Sequence, residues 1–258
     1  MHPIIAIGRF YIYTYTVTGF LGVASGLAVM VFADKRLKGL RQDLFFCALY
    51  ALIGGFLGAK ILYIIALMPQ IIRDPGILLR TLSGGTVFYG GVIGGILGVM
   101  RYTHRFRMPF WRFIDCAAAG IPLGQLWGRI GCFMAGCCYG KPTESFLGVT
   151  YPECSLAAPP GVPLHPVPLY EAGFNLILFL ILLFLLPRNH KPGRIAGVYL
   201  IAYGTVRPVF DCFRGDHDRF FFIISFAISV LLCILGVSLL TGFMQKRLFP
   251  DEEMDKKR

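Results

Sequence analysis

The chain has 258 residues, of which 56% are hydrophobic and only 15% are charged, and its formal net charge is +11. One soluble core cannot hide that much apolar surface, so soluble classes are excluded and lipid covers the remainder. No basic run interleaves with aromatic residues as a nucleic-acid groove would require. The positive charge therefore reads as a topology device facing an anionic inner leaflet, and no nucleic-acid partner is expected.

Apolar runs long enough to cross a hydrocarbon core of ~30 Å predict seven helices. They cover 11–33, 44–68, 86–104, 113–131, 168–187, 195–213 and 220–244. The first run lacks a basic n-region and a small-residue cleavage site and leads into a basic loop, so it reads as a retained span. The expected class is all-α, a polytopic integral membrane protein with seven transmembrane helices over 1–244 and a charged cytoplasmic tail over 245–258. Lysine and arginine bias sets the orientation. With the N-terminus outside and the C-terminus inside, the inner segments hold sixteen Lys and Arg residues and the outer segments six.

Helical rise converts position into depth. Arg129 lies about 24 Å from the inner start of the fourth span, near the outer boundary of the core. On the sixth span Tyr203 falls near mid-membrane, with Arg207 and Asp211 one and two turns farther out on the same face, and Arg214 continues toward the outer mouth. The spans that run inward begin with Tyr13 and Tyr15, with Tyr89, and with His165, Tyr170 and Glu171. Five helices thus bring polar groups to one band in the outer half, and arginine in lipid surroundings marks an anion or ion site. Plainer readings stand beside this one. Arg129 could snorkel to headgroups, Arg207 and Asp211 could be a structural pair, Glu171 could serve a helix dipole, and aromatic belts alone supply tyrosines. Gly90, Gly91, Gly94 and Gly95 permit close helix approach. Gly128, Gly131, Gly136 and Gly140 suggest tight packing and then a turn whose amides could face an anion.

Several ordered motifs resemble the prolipoprotein diacylglyceryl transferase family, seven-helix enzymes of the bacterial inner membrane. They are Ile12-Tyr13-Thr14-Tyr15, Phe88-Tyr89-Gly90-Gly91-Val92-Ile93-Gly94-Gly95, Gly128-Arg129-Ile130-Gly131, His165-Pro166-Val167-Pro168-Leu169-Tyr170-Glu171 and Tyr203-Gly204-Thr205-Val206-Arg207. The resemblance implies an enzyme that moves the diacylglyceryl group of phosphatidylglycerol to the lipobox cysteine of prolipoprotein signal peptides and releases glycerol phosphate at the outer side of the membrane. It places the family's two essential arginines at Arg129 and Arg207. It aligns Tyr15, Gly140, His165, Tyr170 and Glu171 with positions near the lipid and peptide sites.

The chemistry suits these residue types. Guanidinium donors in a dry site stabilise a departing phosphate oxygen, and the incoming thiol reacts as thiolate. Arg129 and Arg207 are expected to hold the phosphate, with Tyr89, Tyr15 or His165 positioning or deprotonating the thiol. Gly90, Gly91, Gly131, Cys132, Gly140, Tyr170, Glu171, Tyr203, Asp211 and Arg214 complete the expected substrate site. Departures from the family pattern fall in the same place. Cys132 stands where an Asn is usual, Ala135 and Cys137 stand where an Asn and an acid are usual, and Tyr89 replaces a histidine. No cofactor is expected, because no nucleotide-binding loop, metal signature or covalent attachment site emerges.

Of the eight cysteines, Cys132, Cys137, Cys138 and Cys154 fall at or beyond the outer face, where disulfides persist. A membrane thiol–disulfide redox protein or a metal site is one alternative, since Cys-x4-Cys-Cys brings three thiols close. The spacing is not Cys-x-x-Cys, however, and no histidine lies nearby in sequence. A structural disulfide from Cys154 to Cys137 or Cys138, or thiols packing the turn, is the plainer reading. Cys47, Cys116, Cys212 and Cys233 read as packing residues within spans. A non-catalytic lipid-binding or transport protein is the third class, and outer-half clustering counts against it.

Overall fold

Helices form on all seven of the apolar runs. In this computed structural model, residues 4–7, 10–37, 43–74, 76, 85, 87–187, 191–216 and 219–244 are described. The helices are α1 (Thr14–Leu37), α2 (Asp43–Arg73), α3 (Phe88–Phe106), α4 (Phe110–Ala135), α5 (Val167–Leu185), α6 (Arg194–Phe213) and α7 (Arg219–Thr241). Four of them, Thr14–Lys35, Asp43–Arg73, Val167–Leu185 and Arg219–Thr241, are long and apolar enough to cross a membrane. The other three, α3, α4 and α6, are less apolar, and charged residues interrupt them: Arg101 and Arg105 in α3, Arg112, Asp115 and Arg129 in α4, and Arg194, Arg207 and Asp211 in α6. The charged tail expected over 245–258 lies outside the described residues.

Two antiparallel strand pairs accompany the helices, one before α1 and one between α4 and α5. In the first, β1 (Ile4–Ile7) pairs with β2 (Phe10–Tyr13), with Ile4 opposite Tyr13. The first apolar run thus starts as strand, and helix begins only at Thr14. In the second, β3 (Val149–Thr150) pairs with β4 (Pro163–Leu164). The connection between α4 and α5 is therefore folded, around a small core of Tyr151, Ala158 and Leu164 with Phe133 and Tyr139 packed against it.

The chain forms two compact units, Lys38–Phe113 and Met1–Leu37 with Ile114–Arg258. In the smaller unit α2 packs along α3. A Cβ on Gly94 would strike the backbone of Gly54 and Gly58, so glycine lets the two helix axes approach closely. In the larger unit α6 packs on α7 and α5. The buried Asp115 of α4 anchors α6 by accepting hydrogen bonds from the Gly193 N–H (2.7 Å) and the Ala196 N–H (2.9 Å). A helix start leaves such N–H groups without partners inside the helix, and this carboxylate supplies one from across the fold.

Candidate active site

Glu171 organises the site. Pro166 precedes α5 and Pro168 lies in its first turn, where fixed φ and a missing N–H cost nothing. Glu171 follows in the next turn, only 2% exposed. It lies beyond the first turn, so the dipole reading gives way to charge pairing. Three arginines reach its carboxylate: Arg129 Nη2 at 2.7 Å and Arg207 Nη1 at 3.3 Å from Oε2, and Arg214 Nη1 at 3.5 Å from Oε1. The two arginines singled out in the sequence therefore meet on one oxygen.

Further acids spread the charge. Arg207 Nη2 lies 3.1 Å from Asp211 Oδ1, one turn on along α6, and Asp211 also accepts a hydrogen bond from Ser225 of α7. Arg214 donates to Asp216 from Nε (2.9 Å) and Nη2 (2.7 Å), a two-point clasp. Arg214 itself is buried, only 5% exposed. Burial opposes its charge, but the bond to Asp216 and the nearby carboxylates of Asp216 and Glu171 outweigh that and raise its pKa above the ordinary arginine value. Pro208 directly follows Arg207 and cannot donate to the Gly204 carbonyl, which interrupts the α6 ladder beside the site.

A strap closes the ends of α5 and α6. The Gly140 N–H donates to the His165 carbonyl (3.0 Å), the His165 N–H to the Lys141 carbonyl (3.0 Å) and the Lys141 N–H to the Phe213 carbonyl (2.8 Å). A Cβ on Gly140 would stand 2.6 Å from His165 Cβ and 2.8 Å from Val167 Cγ2, so only glycine fits. His165 Nδ1 lies 3.2 Å from the Tyr170 hydroxyl, and its ring meets Phe213 edge-on at 5.4 Å. These two expected site residues pair with each other.

Tyr15, 52% exposed, lies against Gly131, where a Cβ would come within 3.1 Å of its ring. It also lies within electrostatic reach of Arg129 and of Cys132, Cys137 and Cys138. Tyr203 stacks on Tyr199 with ring centroids 5.8 Å apart and interacts electrostatically with Arg129. Tyr89, 50% exposed, starts α3 in the smaller unit. Behind it Gly90 abuts Gly58 and Leu62, and Gly91 faces Gly55 and Ala59. The disulfide considered between Cys154 and Cys137 or Cys138 is not formed, and all eight cysteines are free. The reason is local: left-handed backbone at Gly136 and Cys138 folds Cys137 and Cys138 back over Cys132, while Cys154 stays exposed.

Sequence reasoning passed over Asp216, Ser225 and Asn175. Asn175, buried one turn beyond Glu171, donates to the Glu171 carbonyl at 2.8 Å. The Arg214-Gly215-Asp216 spacing carried a signal for Asp216, since two residues apart in a turn suffices for a two-point clasp. Ser225 carried none, because its partner lies on another helix.

The fold and the site together define an all-helical membrane protein with a buried arginine–carboxylate cluster. Comparison makes the class specific. The family model for prolipoprotein diacylglyceryl transferase matches residues 3–245. The chain is 38% identical over 231 residues to the phosphatidylglycerol–prolipoprotein diacylglyceryl transferase of Clostridium tetani, covering 88% of this chain and 91% of that relative. It is 35% identical to a second such transferase, from Clostridium perfringens, over 88% of this chain and 90% of the relative. A transferase of the same name from Dehalococcoides mccartyi is 28% identical over 97% of this chain and 95% of its own length. The chain belongs to the prolipoprotein diacylglyceryl transferase family.

Proposed function

We propose that this chain transfers the diacylglyceryl group of phosphatidylglycerol to the lipobox cysteine thiol of prolipoproteins and releases glycerol phosphate. The names of its relatives support the substrates. The observation that carries the site assignment is the meeting of Arg129 and Arg207 on Glu171 Oε2, at 2.7 and 3.3 Å. Two guanidiniums already held around one anionic oxygen need little rearrangement to grip a phosphate, and Arg214 adds a third donor group nearby.

In this reading the cysteine thiol first gives up its proton, with Tyr15, Tyr89 or His165 positioning or accepting it. The thiolate sulfur then attacks the glycerol carbon that bears the phosphate ester. A carbon–sulfur bond forms, the carbon–oxygen bond breaks, and its electron pair leaves on the phosphate oxygen of glycerol phosphate. Arg129 and Arg207 stabilise the charge on that oxygen. Gly90, Gly91, Gly131, Cys132, Gly140, Tyr170, Tyr203 and Asp211 are assigned to the walls that receive lipid and peptide.

The same reading places residues 1–244 as a single seven-span domain in the bacterial inner membrane. The N-terminus lies outside, the site faces the outer leaflet, and 245–258 forms a cytoplasmic tail. Lysine and arginine bias supports that orientation. The test incubates the purified chain with phosphatidylglycerol and a lipobox peptide and weighs the peptide by mass spectrometry. A diacylglyceryl mass gain that disappears with Arg207→Ala is the expected result. An unmodified peptide, or full transfer by Arg207→Ala, defeats the assignment.

A further inference from the structure

Beside the arginines lies a cluster of thiols that takes no part in the bond-making and bond-breaking steps proposed above. Cys132 sits in the last turn of α4, and the Cys137 N–H donates to its carbonyl at 3.1 Å, closing the helix end. Gly136 (φ 69°) and Cys138 (φ 58°) are both left-handed. Glycine adopts that conformation freely, but a cysteine there is uncommon and is held only by its surroundings. The resulting turn brings the sulfurs of Cys132, Cys137 and Cys138 within 4.8 Å of one another.

Three sulfurs around an ion with bonds of ~2.3 Å stand about 4 Å apart, so this cluster needs little movement to close on one. Among the described residues no histidine or carboxylate joins the set. Structural zinc takes four protein ligands, one more than this cluster supplies, and soft thiolate sulfurs suit Cu(I). Two neighbours suit a thiolate site. Arg214 interacts electrostatically with Cys138, and Arg129 with Cys132 and Cys138, which offsets the negative charge that three thiolates and one monovalent ion leave. Tyr151, 1% exposed, has a hydroxyl with no hydrogen-bond partner among the described residues and lies in electrostatic reach of Cys137 and Cys138. A buried hydroxyl left so is costly, and a metal-bound thiolate is an acceptor for it.

We propose that Cys132, Cys137 and Cys138 form a three-thiolate binding site for a soft monovalent metal ion of the Cu(I) class. On binding, the three thiols release their protons to solvent and each sulfur gives an electron pair to the metal; no oxidation takes place.

The experiment titrates the purified full-length protein, reduced and anaerobic in detergent, with Cu(I) supplied as its bicinchoninate complex. The expected result is one Cu(I) per chain withdrawn from the chelator, with three copper–sulfur bonds in the X-ray absorption spectrum. Cys137→Ser and Cys138→Ser should each weaken retention by roughly 100-fold, at the upper end of what tuning of a metal site moves. Cys154→Ala, which alters an exposed thiol outside the cluster, should leave it unchanged. Copper left on the chelator by the wild-type chain overturns the site, as does retention by the triple Cys→Ser variant or tighter binding of Zn(II) than of Cu(I). The wild-type spectrum decides the matter even where a variant fails to fold, and none of these readouts depends on transferase activity.

Discussion

Arg129 Nη2 of α4 lies 2.7 Å from Glu171 Oε2 of α5. Because the carboxylate is buried and shared with Arg207 and Arg214, its charge holds three guanidiniums at one point. Removing one member of such a cluster leaves the others buried with unbalanced charge, which costs about 3–5 kcal/mol in comparable pairs.

Glu171→Gln keeps the shape and one acceptor oxygen but removes the charge. It should lower the thermal midpoint of the detergent-solubilised protein and reduce transfer to a lipobox peptide by roughly 100-fold, the order seen when one charge-stabilising group is lost. Thermal unfolding and initial rates on the same sample check both. A wild-type rate in Glu171→Gln would separate the arginines' work from their common partner.

Arg207→Lys tests geometry rather than charge. Arg207 uses Nη1 on Glu171 and Nη2 on Asp211, and a lysine has a single nitrogen that cannot span both. Activity should fall at least ~10-fold although the formal charge is kept. Comparing kcat and KM for the lipid identifies the step: a loss in kcat places the contact in the transition state.

Gly140→Ala introduces a Cβ 2.6 Å from His165 Cβ and beside the backbone of the strap. Neither neighbour is a flexible side-chain end, so the strap must shift and the Gly140–His165 hydrogen bond is strained. Loss of most transfer activity, with increased protease cleavage between 139 and 165, is the expected outcome. A fully active Gly140→Ala would show that the strap has no part in positioning α5 and α6.

Asp115→Ala should act on stability and not on chemistry. It strips the partners from the Gly193 and Ala196 N–H groups at the start of α6, worth about 2 kcal/mol. Denaturant or heat unfolding followed by tryptophan fluorescence measures that loss. Activity per folded molecule should stay within about twofold, since ordinary structural substitutions act on the folded fraction.

Much of this protein could be read before any coordinates. Each predicted apolar run coincides with a helix among the described residues, because long apolar stretches leave their mark directly in composition. Spacing along one helix predicted the Arg207–Asp211 contact, since residues four apart share a face. Motif order pointed to Arg129, Arg207 and Glu171, and the structure joins them. The N-terminal hairpin was hidden inside an apolar run, because Ile and Tyr suit strand and helix alike over so short a stretch.

Sequence alone determined which segments are helical and apolar and which charges interrupt them, because both are properties of a residue and its near neighbours. Only the tertiary fold decided which charges meet across different helices. Arg214 turned inward onto Glu171, and Asp115 reached the start of α6. Pairings across such separations depend on how helices pack and turns fold back, and no local pattern encodes that geometry.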